Sequence, residues 1–223
     1  MSSLTRIRVC FALEREAAPF RCLLARSLKS RNGDDRHGIE VLVTGMGPAM
    51  AATRLASRLL EKSPGCVLTC GLAGALAPNL RCGEVLHQTS ATRLSAQLAA
   101  TGSREATFLC TEDIASTASD KHHLRRDTGA DAVEMESGAI QRLCAERGVP
   151  CATVRAISDD AASDLPLDFN KLRGPDLQLS NLRLAGAILA RPWAIPGLIR
   201  LGRNSAAASR SLAGVLAQLI STG

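Results

Sequence analysis

Apolar residues in this chain fall into short, almost continuous runs, and the stretches between them carry helical spacing. Residues 7–13 form the first run and predict a buried strand. Residues 14 to about 29 then read as a helix, with Pro19 in its first turn. Turn chemistry follows at Arg31-Asn32-Gly33-Asp34-Asp35. A second strand is expected over 39–43. It breaks at Gly45-Met46-Gly47-Pro48, and an alanine-rich helix runs over 49–62 until Pro64-Gly65 stops it. The third run, 66–70, ends in Gly71-Leu72-Ala73-Gly74, read here as a glycine-rich turn. Strands are expected at 83–89, 106–111, 132–134 and 151–157, with helices over 119–126 and 137–147. An acidic loop spans 158–168. From about Leu177 the chain reads as helical, broken at Arg191-Pro192-Trp193 and Ile195-Pro196-Gly197.

Near-continuous apolar strands alternating with helices indicate an α/β fold of three layers, a sheet covered on both faces. No internal repeat or low-complexity linker divides the chain. One domain over 1–223 is the economical reading, with a basic helical extension at about 171–223.

Charge sharpens that last point. Of 27 basic and 21 acidic side chains, seven basic and one acidic fall in 171–223, so the body balances at 20 of each and the net +6 belongs to the tail. A neutral body argues against a nucleic-acid coat, which needs a broad basic face. Five aromatics (four Phe, one Trp) also give too little surface for base stacking. The eight cysteines sit mostly in apolar runs and form no C-x-x-C, so they are expected as buried reduced thiols rather than disulfides or metal ligands. No apolar signal-like segment opens the chain and no uncharged apolar stretch reaches about 18 residues, so the cytoplasm is the expected compartment.

Ligands of open α/β sheets bind beyond the carboxyl ends of the strands. The segments following the predicted strands are Glu14-Arg15-Glu16, the two glycine-rich turns, Glu134-Met135-Glu136-Ser137 and Ser158-Asp159-Asp160. Each has a plain structural reading as well. Glu14 and Glu16 suit a helix N-terminus, the glycines suit strand–helix connections, and 158–160 suits a cap. Their order and spacing over about 7–170 nevertheless resemble the nucleoside phosphorylase and nucleosidase superfamily. The likeness is strongest in Ala132-Val133-Glu134-Met135-Glu136-Ser137 and Val154-Arg155-Ala156-Ile157-Ser158-Asp159. Within that superfamily the chain is most similar to the methylthioadenosine/S-adenosylhomocysteine nucleosidases. Its tail resembles the hopanoid-associated branch, which handles adenosylhopane.

The resemblance implies a central mixed, twisted sheet flanked by helices, and an enzyme that cleaves the N-glycosidic bond of a purine nucleoside, a 5′-substituted adenosine that is adenosylhopane-like or methylthioadenosine-like, releasing adenine. Asp159 would be the acid that protonates N7 of the leaving purine, partial burial near Asp160 and Asp164 favouring its protonated form. Glu16 would orient or deprotonate the attacking water, and Arg155 would complete the nucleophile site. Glu136 would grip the ribose hydroxyls beside Met135, with Gly45, Gly71, Glu134 and Ser158 also at the substrate. Phe169 is either an aromatic lid or a core contact. No metal and no cofactor are implied. Phosphate is the co-substrate only under phosphorolysis, and Thr69, where phosphorylases carry arginine, favours hydrolysis. Leu72 replaces the serine usual in the glycine-rich turn. The stretch 83–111 is shorter than in the nucleosidases, implying a more open 5′ side. A homo-oligomer is also implied. A non-catalytic nucleoside-binding protein is the second class considered. A third is a peripheral membrane protein acting through its basic tail, and this is compatible with a lipid-linked nucleoside substrate.

Overall fold

The computed structural model describes residues 6–30, 38–61, 63–174 and 180–222. The turn expected at Arg31–Asp35 and the start of the tail at Leu177 lie outside these residues. The chain forms an eight-stranded mixed sheet with helices on both faces. β1 (Arg6–Phe11), β2 (Gly38–Val43), β3 (Cys66–Ala75) and β8 (Cys151–Asp159) are mutually parallel, in the order β2-β1-β3-β8. β4 (Val85–Thr89) adds antiparallel to β8, and β5 (Arg104–Glu105) pairs with β4. β7 (Ala132–Glu134) runs antiparallel to the end of β3 and pairs with β6 (Phe108–Cys110).

Alternation along the strands explains the two covered faces. Val9 and Phe11 of β1, with Leu68 and Cys70 of β3, join α1 (Glu14–Ser30), α3 (Thr92–Ala100) and α8 (Ile195–Thr222) through Ala17, Phe20, Leu94, Leu98, Leu212 and Leu216. Cys10 and Val67 point the other way, onto Leu55 and Ile140 of α2 (Pro48–Glu61) and α5 (Ser137–Glu146). The remaining helices are α4 (Ala118–Thr128), α6 (Phe169–Leu172) and α7 (Asn181–Ala190), with a 3-10 turn at Pro192–Ala194.

Several expectations are corrected. The run Gly71-Leu72-Ala73-Gly74 is strand, not turn: β3 continues to Ala75 because β8 pairs with it throughout, with an irregularity between Ala73 and Gly74. Ser158 and Asp159 accordingly end β8 instead of opening a loop. The strand expected at 106–111 is shorter, β6 alone, and a separate two-residue strand, β5, precedes it. Pro19 sits in the second turn of α1, and Pro196 lies in the first turn of an unbroken α8, where a missing N–H costs nothing. Helix α3 was not read from the sequence, although Leu94 and Leu98, four residues apart, mark its buried side. All eight cysteines are free, but Cys22, Cys82 and Cys110 are exposed rather than buried. Among the described residues, no single helix is long and apolar enough to cross a membrane. One pair of helices, bent by 106° at Arg191, passes that test only when taken together.

Helix α8 contributes to the main core as fully as the strands do. Truncating Leu212 to Ala is expected to lower the unfolding free energy by about 2–5 kcal/mol, read from the denaturant midpoint. A loss below about 1 kcal/mol would show that the helix is not part of the cooperative core.

Candidate active site

The carboxyl ends of β1, β3, β7 and β8 meet at a cavity of about 240 Å³. Eight of the ten residues singled out in the sequence line it: Glu16, Glu134, Met135, Glu136, Arg155, Ser158, Asp159 and Phe169. Gly45 and Gly71 do not line it, and their roles are indirect. Gly45 has φ +87°, a conformation few side chains tolerate, and it turns the chain so that Met46 reaches the cavity wall. Gly47, with φ +88°, turns its amide onto the Glu136 carboxylate. Gly71 stands opposite Arg155 in the β3–β8 ladder. A Cβ there would lie 2.3 Å from Arg155 Nη1 and 3.3 Å from Glu16 Oε2, so only glycine leaves room for these groups to approach.

Arg155 is 1% exposed. Its Nη2 donates to a Glu134 oxygen and to Thr69 Oγ1 at 3.3 Å, and lies 3.5 Å from Glu136 Oε2. Burial works against its charge, but Glu134, Glu136 and Glu16 more than restore it and raise its pKa. Glu134 is fully engaged: Oε2 also accepts from the Glu136 and Ser137 amides at 3.1 and 2.9 Å, and Oε1 accepts from Ser137 Oγ at 2.6 Å. Burial would raise the Glu134 carboxyl, but Arg155 and these donors hold it below the usual range. Glu134 therefore fixes Arg155 and the start of α5. Burial pushes Glu136 the other way, up, against the pull of Arg155 and with the help of Glu134.

Glu16 is positioned by the first turn of α1, where its amide bonds to the Leu13 carbonyl at 3.1 Å. Burial raises its carboxyl to about 7; Arg155 opposes the rise and Glu136 adds to it. Its Oε2 is buried and has no hydrogen-bond partner, as does Arg155 Nε. A buried unpaired acceptor and donor are costly unless water or a ligand satisfies them. Glu14, by contrast, is a surface residue of the same turn, paired with Arg21 at 3.1 Å.

Asp159 ends β8. Its Oδ1 accepts from Ser158 Oγ at 2.7 Å, and its Oδ2 accepts from Lys121 Nζ at 2.5 Å. Its expected acidic neighbours face elsewhere. Asp160 accepts from the Ala162 amide at 3.1 Å, and Asp164 accepts from the Ala118 amide at 2.7 Å. The group against Asp159 is thus a cation, Lys121, with no exposed surface. Sequence reasoning missed it. Lysine in a polar helix ordinarily reaches solvent, and no motif marks this one. Phe169 lines the cavity and also packs on Leu167, Leu172 and Ala194. Leu13, Met46, Ile114, Leu165 and Leu201 give the rest of the wall an apolar character. Among the described residues, no group of three His, Cys, Asp or Glu side chains is arranged to hold a metal ion.

Comparison with known proteins bears on the family and the fold. Residues 102–189 match the family model of the phosphorylase superfamily. A 5′-methylthioadenosine/S-adenosylhomocysteine nucleosidase of Shewanella oneidensis is 27% identical, the match covering 60% of this chain and 72% of that one. The nucleosidase of the same name in Mycobacterium tuberculosis is 41% identical over 54 residues, 24% of this chain and 21% of that one. The fold is shared with solved structures of Helicobacter pylori. Its methylthioadenosine/S-adenosylhomocysteine nucleosidase superimposes with a TM-score of 0.71 at 17% identity, covering 100% of both chains. Its futalosine hydrolase gives 0.70 at 17% identity, covering 99% of both. Motif order, sheet topology and the match of residues 102–189 converge on the phosphorylase superfamily, and the chain is similar to the methylthioadenosine/S-adenosylhomocysteine nucleosidases.

Proposed function

We propose that this chain hydrolyses the N-glycosidic bond of a purine nucleoside, an adenosine with an apolar 5′ substituent. The observation that carries the reading is the convergence of Glu16, Glu136, Arg155 and Asp159 on one cavity. Cleavage passes through an oxocarbenium-like ribosyl centre. The C1′–N9 bond breaks with its electrons moving into the purine, and Asp159, once protonated, delivers that proton to N7. Glu136 binds the ribose hydroxyls, and its negative charge favours the developing cation. Water attacks C1′ and gives its proton to Glu16, whose unpaired Oε2 is the free acceptor of the site. A carboxyl with its pKa near 7 is matched to base catalysis at neutral pH. The products are adenine and the 5′-substituted ribose.

Hydrolysis is favoured over phosphorolysis by the state of Arg155. Glu134, Glu136 and Glu16 already balance its charge, and a phosphate dianion there would meet three carboxylates. The apolar wall formed by Leu13, Met46, Ile114 and Leu201 supports a bulky apolar 5′ group, as in an adenosylhopane-like substrate. A homo-oligomer remains part of this proposal through the family resemblance alone.

The reading is tested by adenine release from 5′-methylthioadenosine and from 5′-alkyl adenosines, with and without phosphate. Phosphate is expected to leave the rate unchanged, and the longer alkyl groups are expected to turn over faster. Asp159→Asn and Glu136→Gln should each lower kcat by about 100-fold or more. Full activity in either variant would remove that residue from the mechanism.

A pH profile isolates Glu16. A base works only when deprotonated, so kcat/KM should fall about tenfold per pH unit below about 7. Glu16→Gln should be slow and should lose that acidic limb. A variant that kept the limb would place the base elsewhere.

A further inference from the structure

Helix α7 is apolar on two sides. Leu184, Ala187 and Ile188 pack inward on a cluster with Leu167, Leu172 and Ala194. On the outer side Leu182, Ala185, Gly186 and Leu189 follow the spacing of a helical stripe, and Leu182 and Leu189 are 84% and 83% exposed. The apolar surface continues through Trp193, 74% exposed, to Ile195 and Ile199 at the start of α8. A helix apolar all round is normally buried on both sides. Exposed apolar surface of this extent marks an interaction site. Arg191 and Arg200, next in sequence to this surface, are exposed, Arg203 and Arg210 are exposed further along α8, and residues 180–222 contain no acidic side chain.

We propose that this face docks on a bilayer carrying anionic phospholipid headgroups. Charge selects the occupant. Two copies placed face to face would set arginine against arginine, whereas anionic headgroups complement the arginines while the Leu and Trp side chains enter the interface. The face also adjoins the active site. Phe169 belongs both to the cavity wall and to the cluster beneath α7, and Leu201 of α8 lines the cavity. A docked bilayer would therefore lie beside the cavity, where an apolar substituent could pass between the two.

Trp193 is the only tryptophan and reports docking directly. The full chain is titrated with phosphatidylcholine vesicles with and without phosphatidylglycerol, following flotation and Trp193 emission, with size-exclusion chromatography in parallel. Binding and a blue shift are expected on the anionic vesicles only, reversed by salt. Arg191→Glu with Arg200→Glu should weaken binding about tenfold or more without changing the fold by circular dichroism. No binding to anionic vesicles by the unmodified chain overturns the proposal. So does salt-insensitive binding to both vesicle types, or a dimer without vesicle binding that Leu189→Ser disperses, which would make the occupant a second copy.

A separate observation concerns Lys121. Its Nζ donates to Asp159 Oδ2 at 2.5 Å and to the carbonyls of Asp160 and Ser163 at 2.7 and 3.1 Å, using all three ammonium protons. The capping box of Thr117 and Asp120 fixes the helix just before it. We infer that Lys121 is a positioning residue. It ties the Asp159 carboxylate and the 160–163 loop into one rigid unit. This rests on the role of Asp159 proposed above. Lys121→Met should lower kcat about 10- to 100-fold with KM nearly unchanged, and Lys121→Arg should recover part of the loss. In an Asp159→Asn background, Lys121→Met should cost nothing more. An undiminished kcat, or an equal further loss in that background, overturns the inference. Activity in Asp159→Asn alone would instead overturn the assignment of the acid.

Discussion

The interaction on which the rest of the site depends is the burial of Arg155 in the middle of the sheet. A guanidinium removed from water is costly unless carboxylates and hydrogen bonds replace the solvent. Glu134 takes it directly, Glu136 lies 3.5 Å away, and Glu16 adds its field from α1. Removing any one partner would leave the others over- or under-charged in a dry place. Three segments far apart in sequence are therefore held to one point by the same cation.

That constraint also accounts for glycine within β3. Gly71 faces Arg155 across the ladder, and Gly74 sits where a Cβ would come 3.1 Å from Asp159 Oδ2. The glycines keep side chains out of the space that the charged groups occupy. The continuous pairing of β3 with β8 fixes both strand ends, so the Arg155 cluster and Asp159 sit at set positions on the two sides of the cavity. Beyond it, Lys121 gives Asp159 an ionic partner of its own, which separates the carboxylates of the site into two groups with different cations.

Around this charged centre the protein is apolar. Phe169 and Leu201 link the cavity wall to the cluster under α7, and the outer side of α7 carries more apolar surface than a solvent-facing helix needs. The net +6 belongs to residues 171–223, and five of the seven basic side chains there, Arg183, Arg191, Arg200, Arg203 and Arg210, are on these last helices or the turn between them. The charged residues lining the cavity and the charged tail thus occupy adjoining parts of one structure, joined by packing rather than by sequence proximity.

The sequence by itself determined most of the strands and helices, through apolar runs and helical spacing, and marked Glu16, Glu136, Arg155 and Asp159 through motifs local to strand ends. Alternation and capping act over a few residues, which makes the elements legible, whereas those four residues were singled out by the resemblance of their motifs to the superfamily. It misjudged Gly71–Gly74, because glycine signals a turn locally and only β8, some eighty residues away, holds those residues in a ladder. It passed over Lys121, because a lysine's burial depends on acceptors supplied by another segment. The raised carboxyl of Glu16 is likewise a tertiary result: desolvation and the field of Glu136, which together outweigh the opposing pull of Arg155, exist only once the chain has closed around them.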